Sequence, residues 1–268
     1  MSAIVTIAVN GFRESVRDKV LYNLVLFAIL LIGASYLIGQ LTAGQDIKII
    51  KDLGLAATSF FGLFIAVFIG IALVAKEVER RSVYSLLSKP IHRYQLVIGK
   101  YAGLLVTLTV NVAIMTASLY AVLAYMRWGV DPAIEAAWDA RALDPALLEA
   151  IVLILLELMV VTAIALCFST FSTPILSAAF TFGLTIAGHY STDLRNFQDV
   201  VDSPTAQRIA RAVYWVLPNF AQFDVKSQVV HGQRVGASYV GIVALYAALY
   251  IAMLLIIATL VFSRRDFK

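Results

Sequence analysis

The chain has 268 residues, of which 61% are hydrophobic and only 14% charged, with a mean hydropathy of +0.86 and a formal net charge of +4. Soluble domains run near 45–50% apolar and about 25% charged, so this composition excludes a large-cored soluble protein and indicates an integral membrane protein. One cysteine, Cys167, excludes an intrachain disulfide framework or a cysteine-based zinc cluster, and the basic balance suits orientation against anionic lipid rather than nucleic-acid binding.

Residues 3–19 do not read as a signal peptide, because the charges Arg13, Glu14, Arg17, Asp18 and Lys19 follow the apolar positions and no small-residue cleavage site appears. Ile4, Ile7, Ala8, Phe12 and Val16 recur at helical spacing. That pattern fits an amphipathic helix lying in the membrane interface, or a helical extension of the first span.

Six apolar segments follow, at 20–40, 53–75, 101–126, 147–168, 172–190 and 236–262. A span needs about 20 residues, so five are comfortable and the fifth in order is short. Pro174 suits the first turn of that short helix, and only residues 169–171 separate it from the fourth segment, which makes a tight helical hairpin. Asp144-Pro145 is a start signal for the fourth segment, and Trp128 and Trp138 read as interfacial anchors.

The expected fold is therefore all-α and integral to the membrane. It has six transmembrane helices, an N-terminal interfacial helix (1–19), a cytoplasmic segment (76–100) between spans two and three, and short extracytoplasmic helices (191–235) between spans five and six. Residues 1–268 read as a single transmembrane domain. With both termini inside, twelve of the 21 lysines and arginines fall on inner segments and nine on outer ones, five of those in one long loop that counts weakly. Within that loop, AQRIARAVYWVLPNF reads as a short amphipathic helix on the outer surface, ended by Pro218, with a partly inserted helix as the alternative.

Searches for chemistry return little. The nearest approach to a phosphate loop is Gly99-Lys100, but Tyr101 follows where Ser or Thr is required and Tyr94 replaces the earlier glycine. The histidines His92, His189 and His231 lie on different segments, which gives a metal cage or a Ser-His-Asp site little support. No catalytic or metal-ligating residues are expected. Glu157, in the middle of the fourth span, is the outstanding intramembrane carboxyl, at an insertion cost of roughly 2.5–3.5 kcal/mol if charged. It is either a packing carboxyl bonded to Asn, Ser or backbone of a neighbour, or part of a substrate or proton path. Asn111 and His189 are weaker candidates of the same kind. Gly54, Gly62 and Gly70 on the second span, and Gly99 and Gly103 at the head of the third, are spaced for close helix approach.

The segment 76–100, KEVERRSVYSLLSKPIHRYQLVIGK, carries six of the 21 basic residues. Val83, Leu86 and Leu87 form a narrow apolar stripe, and Ser88-Lys89-Pro90 breaks the helix before a second one runs into the third span. From the residues alone, the segment is either a solvated loop that fixes topology or a docking site at the cytoplasmic face.

This pattern resembles the loop between the second and third spans of type-2 ATP-binding-cassette (ABC) exporter permeases. More narrowly, it is similar to the permeases grouped with multicopper-enzyme maturation, including those serving nitrous oxide reductase. The matching residues are Glu77, Glu79, Arg80, Ser88, Lys89, Pro90, Arg93, Gly99 and Lys100; Arg81-Ser82 stands where many relatives have Gly-Thr. FSTFSTP at 168–174, LPNF at 217–220 and the closing SRRDFK extend the likeness along the chain.

The resemblance implies a permease of the bacterial cytoplasmic membrane that is not itself an enzyme. It would pair with a second permease copy and with two copies of an ATPase subunit. ATP and Mg would bind the ATPase, and no cofactor is expected on this chain. It further implies an ATPase-coupling interface at Glu77, Glu79, Arg80, Arg81, Ser82, Tyr84, Ser88, Lys89, Pro90 and Arg93, with a smaller contact at 169–173. The translocation-path candidates are Glu157 and Asn111. The apolar path would suit a lipid or amphiphile, and the narrower likeness a sulfur species or metalloenzyme assembly. The rival functions are a six-span secondary transporter or channel with Glu157 as its ion or proton site, and a membrane scaffold recruiting a partner through 76–100.

Overall fold

A computed structural model describes residues 3–41, 46–79, 92–128, 130, 141–191, 205, 207–208 and 217–264, with backbone only for 73–79, 93 and 264. Every regular element among them is helical. The chain runs through α1 (Ala3–Val16), α2 (Lys19–Gln40), α3 (Asp46–Glu79), α4 (Arg93–Trp128), α5 (Ala146–Ser169) and α6 (Pro174–His189). A 3-10 turn (Phe220–Phe223), the short α7 (Lys226–Val230) and α8 (Ala237–Arg264) complete it. Five helices, α2, α3, α4, α5 and α8, are long and apolar enough to cross a membrane, and α6, with 16 residues, is the shorter sixth. At 1.5 Å per residue α6 is about 24 Å long, against a hydrocarbon core of about 30 Å.

Local chemistry accounts for the helix ends. Asp18 accepts the Val20 amide at 3.1 Å and begins α2. Asp144 Oδ1 accepts the Ala146 amide at 3.0 Å, so the Asp-Pro pair opens α5 where the sequence places it. Pro174 occupies the first turn of α6, where its missing N–H is no loss. The hairpin between α5 and α6 spans 170–173, and the hydroxyls of Ser169 and Thr170 donate to the carbonyls of Leu166 and Cys167.

Helix α5 is the axis of the molecule, with most of its residues buried against α3, α8, α4 and α6. The glycines of α3 serve two partners. Gly54 meets Leu119 of α4, whereas Gly62 and Gly70 meet Leu158 and Ala165 of α5. Helix α1 packs chiefly on α4, where Gly99 faces Ile7 and Gly103 faces the Ala8 carbonyl. A Cβ built on Gly103 would lie 2.5 Å from that oxygen, so the close approach requires glycine.

Two expectations change. Helix α3 begins at Asp46, seven residues before the expected span, and continues unbroken to Glu79, so the first charges of the 76–100 segment extend a span. The remainder of the expected coupling helix, 80–91, lies outside the described residues, as do Trp138 and most of the amphipathic stretch 209–216. The end of the outer connection, expected among short extracytoplasmic helices, also packs into the core: Phe220 and Phe223 of the 3-10 turn, Val225 after it and Val229 and Val230 of α7 are all buried.

Candidate functional site: a buried carboxyl at the centre of the bundle

Helix α5 is held on several sides by apolar contacts, and this fixes its register. Glu157 consequently points inward and is 5% exposed. Among the described residues its partner is neither Asn, Ser nor backbone. Glu157 Oε1 lies 3.2 Å from His189 Nε2 at the end of α6, a contact across the helical hairpin. The other ring nitrogen, Nδ1, lies 3.0 Å from the Thr185 carbonyl oxygen one turn back. The imidazole packs on Phe220, ring centroids 5.6 Å apart, and Gly188 lets the Phe220 ring and the Pro218 carbonyl approach the backbone of α6.

Around this pair the outer segment is stitched to the spans. The Asn219 amide donates to Tyr246 Oη at 2.9 Å, and Tyr239 Oη donates to the Gln222 carbonyl at 2.8 Å. Lys226 Nζ reaches Ser59 Oγ of α3 at 3.5 Å and Asp224 at 3.8 Å. Just before α8, the Val235 amide donates to Glu149 Oε2 at 2.9 Å. The polar groups of α3, α5, α6 and the 217–235 stretch thus converge at one end of the bundle.

Asn111 is buried but does not join them through any described contact. Its side-chain amide donates to the Thr107 carbonyl on its own helix at 2.6 Å, which satisfies it locally. Of the expected coupling residues, Glu77 and Glu79 end α3 and Arg93 begins α4. Arg80, Arg81, Ser82, Tyr84, Ser88, Lys89 and Pro90 lie outside the described residues. Among the described residues no group of three or more His, Cys, Asp or Glu side chains could hold a metal ion.

Sequence reasoning missed two buried charge-bearing groups, Lys51 and Lys100, the second read as the end of the charged cytoplasmic segment yet buried in α4. Lys51, counted there as an outer-loop charge, is 0% exposed within α3 and donates to the Arg141 carbonyl at 2.7 Å. The signal lay in its neighbours, since Ile47 and Ile50 share its buried face at helical spacing.

Several apolar helices around a sparsely polar centre define a multi-pass membrane protein. The match to a family model then fixes the family: residues 5–267 match the ABC-2 family transporter protein, nearly the entire chain, and the chain belongs to that family. It is a permease subunit of an ABC transporter, a class that works with an ABC ATPase subunit. A search of curated proteins finds no match.

Proposed function

We propose that this permease couples ATP hydrolysis, performed by a separate subunit, to the export of a substrate across the bacterial cytoplasmic membrane. Two copies of the chain pair with two ATPase subunits, ATP and Mg are held by the ATPases, and both termini of the permease face the cytoplasm. Coupling runs through Glu77, Glu79, Arg80, Arg81, Ser82, Tyr84, Ser88, Lys89, Pro90 and Arg93. Glu157 and Asn111 lie beside the translocation path.

The observation that supports this reading most is the length of α3 and α4. They have 34 and 36 residues, about 51 and 54 Å at 1.5 Å per residue. A hydrocarbon core of about 30 Å is exceeded by both. The apolar run of α3 ends at Ala75, and the helix continues without a break through 76–79 into the basic segment. A rigid helix extended past the bilayer carries a push at its tip into the membrane, and a flexible loop would not.

Gentle solubilisation of the native complex tests the proposal. An ATPase subunit co-purifying with this chain is the expected outcome. A complex that transports yet lacks one overturns the reading. Glu157→Gln in reconstituted transporter is expected to lower ATP-driven transport several-fold while assembly stays intact; unchanged transport would return Glu157 to packing alone.

A further inference from the structure

The hydrogen positions at the Glu157–His189 contact follow from its geometry. A carbonyl oxygen can only accept, so His189 Nδ1, 3.0 Å from the Thr185 oxygen, carries a hydrogen and donates. That leaves Nε2 facing Glu157 Oε1 at 3.2 Å. If the carboxyl is ionised, Nε2 must carry a second hydrogen and the ring is an imidazolium. If the ring is neutral, its bare Nε2 accepts and the carboxyl must be protonated. Either way one proton sits between the two groups, and the pair has no net charge. Without that proton, a carboxylate would oppose an imidazole lone pair in a buried site, and the contact would become repulsive.

We propose that Glu157 and His189 form a proton-binding site, one proton shared across the α5–α6 hairpin, that seats the outer segment 217–230 on the spans. The seating runs through His189 itself. Phe220 covers the ring, and Gly188 touches Phe220 and the Pro218 carbonyl, so the end of α6 and the outer segment shift together. Ser191, just past α6, is 0% exposed, and its hydroxyl finds no partner among the described residues. It is therefore enclosed, and a probe reaches it only if its surroundings give way.

Among the described residues the surroundings contain few competitors for the proton: Lys226 on α7 is the cation that bears on His189, and Asp224 lies 3.8 Å from its Nζ. Helix α8 brings the phenols Tyr246 and Tyr250, α4 brings Tyr101, whose hydroxyl donates to the Met159 carbonyl, and α3 brings the Ser59 hydroxyl. Adding a further proton leaves an imidazolium N–H facing a carboxylic acid, whose carbonyl oxygen still accepts. The contact therefore survives acid and fails only as the shared proton is lost at rising pH.

The test uses the purified full chain in lipid nanodiscs and does not require an ATPase, so its result stands apart from the coupling mechanism. Nitrogen NMR of 15N-histidine-labelled protein reads the tautomer directly, with the His189 signal identified by its loss in His189→Gln. The expected spectrum shows Nδ1 protonated throughout and, in the wild type at neutral pH, an Nε2 signal shifted towards the protonated form. In Glu157→Gln the amide can donate to a bare Nε2, so the neutral Nδ1–H tautomer should replace it. An Nε2–H neutral tautomer, or a wild-type spectrum identical to that of Glu157→Gln, overturns the proposal.

A second readout covers the seating. Ser191→Cys, in a Cys167→Ala background, should resist maleimide at neutral pH and label several-fold faster at alkaline pH. The same cysteine beside Glu157→Gln, which needs no shared proton, should gain only what thiol ionisation supplies. Equal gains in both would sink the link to the outer segment.

Discussion

A lysine fully enclosed in a membrane helix must find acceptors for its ammonium or lose its charge, and Lys51 solves this with the Arg141 carbonyl at 2.7 Å. That carbonyl belongs to the end of the connection leading into α5, whose Asp144 carbonyl in turn accepts from Tyr120 Oη at 3.1 Å. Lys51 thus ties the first turns of α3 to the start of the central helix. Lys51→Ala removes both the bond and the apolar stem, so a loss of about 2–4 kcal/mol is expected. Lys51→Met keeps the stem and removes the buried ammonium along with the bond, and should cost only about 1–2 kcal/mol. Thermal unfolding of the purified variants checks the order. If methionine destabilises as much as alanine, the stem is not what matters.

Helices that approach closely enough to exclude a methyl group move as one body, and α1 on α4 is the clearest case. Gly103→Ala would drive a Cβ into the Ala8 carbonyl, a backbone atom that cannot rotate away, at an expected cost of about 1–3 kcal/mol. The variant should still insert, because the change makes its span slightly more apolar. Helix α1 should loosen, and a cysteine placed at the buried Ser15 should become accessible to maleimide. Continued protection of that cysteine would show that α4 gives way instead. The same glycines were legible in the sequence, as was every span, since a bilayer demands a long apolar helix and a hydropathy window detects one. The Asp144 and Pro174 start signals were legible because they act within a turn. What could not be read were contacts set by rotational register. Glu157 and His189 are separated by a hairpin, and whether they meet depends on which faces of α5 and α6 pack together. The burial of Phe220 and Phe223 escaped for the same reason, because a 3-10 turn rather than a long periodic helix turns them inward.

At the scale of the whole molecule, the basic segment can do either of two things, and a charge reversal separates them. As a topology signal it acts during insertion, by the excess of positive residues on one side of the membrane. As a docking surface it acts after folding, through the charges at the tips of two long helices. With both termini cytoplasmic, as proposed, the inner segments hold twelve basic residues against nine on the rest of the chain, so converting Arg80 and Lys89 to glutamate lowers the inner count to ten and leaves the bias in place. Orientation should therefore survive Arg80→Glu combined with Lys89→Glu, as reported by tags on the two termini. Assembly should not survive, because each reversal replaces an attraction with a repulsion at the same contact, where like charges cost several kcal/mol across an interface. The expected result is normal membrane insertion with at least a tenfold loss of co-purifying ATPase. A variant that inverts its orientation, or that keeps its full complement of ATPase, would reduce the segment to a topology marker and move the coupling contact elsewhere on the cytoplasmic face. The unbroken run of α3 from its last apolar residues into 76–79 argues for the first outcome, since a helical extension is unnecessary for a signal read by charge alone.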